Sequence, residues 1–144
     1  MSFAVDVNML LYASDSSSER HDEALRFLRD RARGGEVMCL AWPTILGYLR
    51  VATHPSVFDQ PLSHAEAVAN IDSLLALPQT RVLSEEEGFW DAYKSAAGAV
   101  PIRGNMVPDA HLAAILHQHR VTVLYTVDRD LLKFDFLDVR DPFA

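Results

Sequence analysis

Residues 107–130, VPDAHLAAILHQHRVTVLYTVDRD, hold a helix pattern, a strand pattern and three acids in one uninterrupted run. Pro108 has no amide hydrogen to leave unpaired and a φ preset for a first helical turn. It opens a helix predicted over Asp109 to His119, with Leu112, Ile115 and Leu116 pointing inward. Val121 to Thr126 reads as the strand that follows, and Asp128 and Asp130 come directly after it. Asp109 lies in the first turn of the helix leading into that strand. A helix that feeds a strand ending on acids is half of an α/β unit, and the remainder of the chain can be tested for the other half.

The beginning of the chain supplies it. Phe3-Ala4-Val5 is a short apolar run ending at Asp6, and Asn8 is a suitable cap for the apolar turn Met9 to Tyr12. Further helices are predicted over Glu19 to Arg33, stopped by Gly34-Gly35, and over Thr44 to Thr53, with Pro43 in its first turn and His54-Pro55 closing it. Ser63 to Leu77 places Ala67, Val68, Ile71, Leu74 and Leu75 on one helical face before Pro78. That face suits a core, a dimer interface or a partner groove equally. Ser84 and Glu87 have capping-box spacing, predicting a helix through Phe89, Trp90 and Tyr93 toward Gly98, with the aromatics in the core. Val37 to Leu40, Arg81 to Leu83 and Leu137 to Val139 read as short strands between these helices. The alternation predicts an α/β fold: one domain over residues 1–144, with a mostly parallel sheet of about five strands covered by helices on both faces.

Composition narrows the class. At 144 residues and 49% hydrophobic content, one compact core is the expectation. No apolar run is long enough to span a bilayer, and the start lacks a basic region followed by an apolar one, so the chain reads as soluble, cytoplasmic and without a membrane role. The single cysteine, Cys39, excludes intramolecular disulfides and a cysteine-rich zinc site, and reads as a small buried hydrophobe. A net charge of −7 argues against a broad basic surface that grips nucleic acid, because Lys and Arg normally supply that affinity. Clustered acids that hold a divalent cation would reverse the local field and bridge to phosphate oxygens.

In parallel α/β sheets the functional crevice lies beyond the carboxyl ends of the strands, at the point where strand order reverses. Asp6, Asp109, Asp128 and Asp130 are all predicted to reach that rim. Taken singly, they also suit a strand-end turn, a helix N-terminus and loop positions. Together they would repel one another unless a cation compensated, and oxygen-only ligation suits Mg²⁺ or Mn²⁺, which activate water and stabilise phosphoryl transfer. Arg50, Arg103, Arg129 and Lys133 are candidates to flank the acids, with Arg50 and Arg129 chosen as phosphate-binding residues. His111, His117 and His119 lack the helical pair spacing of zinc enzymes and read as surface residues. A phosphatase that needs Asp-x-Asp after its first strand is disfavoured, since the second position is Asn8 and an amide cannot act as a general acid.

Three stretches give the chain a resemblance: Val5 to Ala13, the Leu49-Arg50-Val51-Ala52-Thr53-His54-Pro55 segment, and the block from Val107 through Thr126, Asp128, Arg129 and Asp130 to Phe134. In that order they resemble the PIN-domain ribonucleases, specifically the VapC-type toxins of type II toxin–antitoxin systems. The resemblance implies a PIN-like three-layer α/β/α sandwich and a Mg²⁺- or Mn²⁺-dependent endoribonuclease that cuts structured RNA such as tRNA or rRNA. It also implies a VapB-like antitoxin partner and a homodimer. By the same resemblance Asp6, Asp109 and Asp128 are catalytic metal ligands, Asp130 is an accessory ligand, and Asn8 and Thr126 orient the cluster. One position departs from the family pattern: a glutamate common before the Leu-Arg-Val-x-Thr-His-Pro segment is Gly47 here, with no acid between Glu36 and Asp59. Close packing, a kink or a lost ligand would each account for a helical glycine. The alternative to catalysis is therefore a weakened PIN-fold module that only binds RNA or its antitoxin.

Overall fold

A computed structural model describes residues 1–144. In chain order the strands are β1 (Ser2–Val5), β2 (Val37–Ala41), β3 (Thr80–Leu83), β4 (Val123–Tyr125) and β5 (Asp138–Arg140). The helices are α1 (Val7–Ser14), α2 (His21–Arg33), α3 (Trp42–Ala52), α4 (His64–Leu75), α5 (Phe89–Ala97) and α6 (Met106–Gln118), and a 3-10 turn spans Arg129–Lys133. The sheet order is β3-β2-β1-β4-β5 and every pairing is parallel, with Ala4 opposite both Cys39 and Leu124. Chain order reverses between β1 and β4, which makes the carboxyl ends of those two strands the topological switch.

Side-chain alternation along the strands divides the core in two. Phe3, Val5, Met38, Leu40, Val123 and Tyr125 face one side and meet Met9, Leu10, Ile45 and Tyr48 from α1 and α3 and Ala67 and Ile71 from α4. Ala4, Cys39, Ala41, Leu83 and Leu124 face the other and meet Ala110, Ala113 and Ile115 from α6. This is the three-layer sandwich the alternation of elements predicts. Cys39 is buried, as its apolar surroundings in the sequence suggest. No helix is long and apolar enough to cross a membrane.

Several local expectations are corrected. Asn8 does not cap α1; Asp6 does, its carboxylate accepting the Val7 amide hydrogen at 2.7 Å, and the helix starts one residue after the strand. Ser84 and Glu87 form no capping box. α5 begins after Gly88, whose φ of 79° is left-handed, because residues 84–88 are tied to α6 instead. Gln118 exchanges hydrogen bonds with Glu86, His119 bonds Ser84 O at 2.8 Å, and His111 bonds Glu85 at 2.7 Å. Trp90 is not core: it is 66% exposed and stacks on Tyr93 at an interplanar angle of 3°. The fourth strand is shorter than predicted at both ends, starting only at Val123 and losing Thr126, which serves the rim, and α6 begins two residues before Pro108.

Gly47 lies inside an unbroken α3, where an added Cβ would meet only Val7 Cγ2 at 3.8 Å, an ordinary contact. Close packing and a kink are thereby removed as reasons for it. Gly47→Ala is expected to stabilise the fold by about 0.5–1 kcal/mol, since alanine fits the space and lowers the entropy of the unfolded chain. Urea unfolding of the two proteins measures this, and a lowered midpoint would contradict it.

Candidate metal and catalytic site

Thr126 is the hinge of the rim. It is 1% exposed, and its hydroxyl uses its full hydrogen-bonding capacity. It donates to Asp6 Oδ2 at 2.8 Å and accepts from the Asn8 side-chain amide at 3.0 Å and from the Asp128 backbone N–H at 3.0 Å. One hydroxyl therefore joins the end of β1, the first turn of α1 and the segment after β4. Its backbone is fixed too: the Thr126 N–H donates to Arg140 O and the Asp6 N–H to Tyr125 O, each at 3.0 Å. The Asn8 side-chain oxygen is buried without a partner.

The 3-10 turn places the next acids. Asp128 Oδ1 accepts the Asp130 N–H at 2.9 Å, capping the turn and setting the two carboxylates side by side. Asp109 comes in from the first turn of α6, which packs in the same layer as the 3-10 turn. Carboxylate oxygens of Asp109, Asp128 and Asp130 all lie within 4.8 Å of one another. Asp6 stands beside this group, held by Thr126 and the Val7 amide rather than inside it.

The electrostatics record the crowding. Burial raises the Asp109 pKa to about 6, helped by Asp128, Asp6 and Asp130 and opposed by Lys133. Burial also raises Asp6, against the hydrogen bonds from Thr126 and Val7 that favour its charged form. An oxygen-only group of three mutually repelling carboxylates has the donor chemistry of a hard divalent cation, so the residues fit Mg²⁺ or Mn²⁺. α3 adds no carboxylate, because the position next to Val7 is Gly47.

A raised carboxylate pKa means the folded state binds its proton more tightly than the unfolded chain. Stability then rises as pH falls through about 6 toward the ordinary value of 3.8. In EDTA, the thermal midpoint is expected to be higher at pH 5 than at pH 7.5. Glu66 and Glu85, whose pKa values are lowered by hydrogen bonds from Ser63 and His111, oppose this only below their ordinary value of 4.5. A midpoint that falls steadily from pH 7.5 to 5 would contradict the crowding of the acids.

Of the basic candidates, Arg50 and Arg129 are exposed and form no ion pair. Lys133 is the one turned to the acids, with Nζ 3.7 Å from Asp130 Oδ1. Its signal in the sequence is the i, i+3 spacing from Asp130, which has meaning only once the segment is known to be helical. His111, His117 and His119 do not join the carboxylates; they contact Glu85, Phe136 and the residues after β3.

No family model matches the chain. Ribonuclease VapC48 of Mycobacterium tuberculosis is 40% identical over 144 residues, covering 100% of this chain and 99% of the relative. Ribonuclease VapC37 of the same organism is 32% identical over 131 residues, 91% of this chain and 90% of the relative. Among solved structures, M. tuberculosis VapC20, described as a sarcin-ricin loop cleaving toxin, superposes with a TM-score of 0.70 at 18% identity, covering 96% of this chain and 99% of that one. VapBC2 of Rickettsia felis, bound to a promoter DNA fragment, gives a TM-score of 0.70 at 12% identity over 97% of this chain and 98% of that one. The structural likenesses share the fold, and the full-length identities carry the kinship: this chain belongs to the VapC family of ribonucleases.

Proposed function

We propose that the chain is a Mg²⁺- or Mn²⁺-dependent endoribonuclease acting as the toxin of a toxin–antitoxin pair, with structured RNA such as tRNA or rRNA as its substrate. The observation that carries the reading is the convergence of Asp109, Asp128 and Asp130 within 4.8 Å at the β1/β4 switch. In this reading Asp6, Asp109 and Asp128 are the catalytic metal-binding acids and Asp130 is an accessory ligand. A divalent cation there would supply the positive charge that activates water and offsets the charge of the cut phosphate. The protein's own part is to hold the acids in place. Thr126 and Asn8 orient Asp6 and the Asp128 backbone, while Lys133 and the exposed Arg50 and Arg129 are available to RNA phosphates.

The partner half of the reading is a VapB-like antitoxin, supported by the kinship and by an apolar groove of about 500 Å³. Leu10, Leu25, Leu28, Ile71, Leu74 and Leu77 line it, so the face noted between Ala67 and Leu75 is divided between core and groove. A homodimer belongs to the same reading.

The test is incubation of the purified protein with total RNA and tRNA in Mg²⁺, Mn²⁺ or EDTA. Discrete fragments that disappear in EDTA are the expected result. Gly47, where α3 offers no acid, favours the second reading of a PIN-fold module that binds without cutting. Tight Mn²⁺ binding with no cleavage of any RNA would select that reading and overturn the first.

A further inference from the structure

A second cavity, of about 700 Å³, opens between the C-terminal end of α5 and the segment after the 3-10 turn. One wall runs from Ser95 through Pro101, where Ala96, Ala97, Gly98 and Ala99 leave the space empty. Gly98 is required there: its φ is 47°, and an added Cβ would lie 3.3 Å from Ser95 O. The opposite wall holds Lys133, Asp135 and Phe136, and His117 from α6 closes it. The His117 and Phe136 rings sit 4.8 Å apart, and His117 is exposed.

Lys133 connects this cavity to the acids. It lines the groove while its ammonium stands 3.7 Å from Asp130, and its charge reaches Asp109. A strand whose phosphate lies at the carboxylates would thus pass Lys133 as it enters the groove, where the exposed His117 ring, backed by the tilted Phe136 ring, offers a face to a planar group. We infer that this groove is a nucleotide subsite for the RNA chain next to the cut bond, with Lys133 holding a backbone phosphate and His117, supported by Phe136, stacking the base. The inference rests on the proposed ribonuclease activity. Asp135 is the acidic group on the wall; a phosphate placed there would be repelled, whereas the amino group of adenine, cytosine or guanine finds an acceptor.

The experiment measures binding rather than turnover, with fluorescein-labelled oligoadenylate of twelve residues and the matching abasic ribose-phosphate chain as probes, in Ca²⁺. The native protein is expected to bind the oligoadenylate about tenfold more tightly, the lower range of one stacked base. His117→Ala and the occluding Ala99→Trp are expected to erase that difference. Lys133→Ala is expected to weaken both probes by a similar factor, with the affinity for Mn²⁺ alone undiminished, since the change removes a positive charge beside the acids. Circular dichroism confirms folding of each variant, and Phe136→Leu provides a conservative stacking variant. If the native protein cuts RNA but binds both probes equally, or the variants retain the preference, the subsite is refuted and the ribonuclease reading stands. If it neither binds nor cuts RNA, the reading beneath the subsite fails with it.

Discussion

Asp109→Asn is expected to slow cleavage by about two to three orders of magnitude while raising the thermal midpoint of the metal-free protein. The two effects have one cause. At pH 7 the Asp109 carboxylate is ionised against burial and against Asp128, Asp6 and Asp130, which is why its pKa lies near 6. An amide of the same shape removes that repulsion and stabilises the fold. It also turns one of three carboxylates grouped within 4.8 Å into a neutral amide, which keeps an oxygen but loses the charge that would hold a divalent cation. Loss of such electrostatic assistance is worth about 3–4 kcal/mol, on the order of 10²–10³-fold in rate. Cleavage of the RNA found to be cut, alongside scanning fluorimetry in EDTA, reads both arms. A variant that loses activity and also melts earlier would show Asp109 to be structural, which would remove it from the site.

Thr126→Val is expected to damage both stability and activity. Valine fills the same volume but leaves Asp6 Oδ2, the Asn8 amide and the Asp128 N–H without the hydroxyl that joins them. Unpaired buried groups cost about 1–3 kcal/mol each when water cannot reach them. Partial relaxation at the rim brings the expected total to roughly 3 kcal/mol, a fall of about 10 °C in midpoint for a chain of this size. Cleavage is expected to drop about 10–100-fold, the usual cost of losing an orienting partner behind a ligand. Thr126→Ser, which keeps the oxygen, should recover most of both. Equal losses in the serine and valine variants would show that the methyl group, and so packing, is what matters.

The architecture was legible because it follows from periodicity. Runs such as Phe3-Ala4-Val5 and Val121 to Thr126 read as strands between amphipathic helices, and parallel pairing brings their carboxyl ends to one rim. Local endings were harder to read. Asn8 has a good capping side chain, but Thr126, 118 residues away, takes its amide, and Asp6 caps instead. Ser84 and Glu87 have the right spacing, yet Gln118, His111 and His119 hold that segment against α6. Trp90 counted as core because an aromatic cluster usually buries itself; only one face of α5 packs, however, and Trp90 is on the other. Lys133 was passed over in favour of two arginines because its approach to Asp130 depends on the 3-10 turn.

The pairing of the first strand with the fourth has a consequence for biosynthesis. Asp6 is made before the rest of the site, but the hydroxyl that orients it is 120 residues downstream, and β1 has β4 as its partner at Ala4 and Val5. A nascent chain on the ribosome carries its first acid long before Asp109, Asp128 and Asp130 exist to meet it. Assembly must then wait for loop closure across 120 residues, a slow kind of contact. A product ending before β4 lacks Asp128, Asp130 and the Thr126 hydroxyl. The sheet order thus delays the protein's chemistry until β4 and the turn after it have been made, a built-in interval for a ribonuclease surrounded by the RNA of the machinery that makes it.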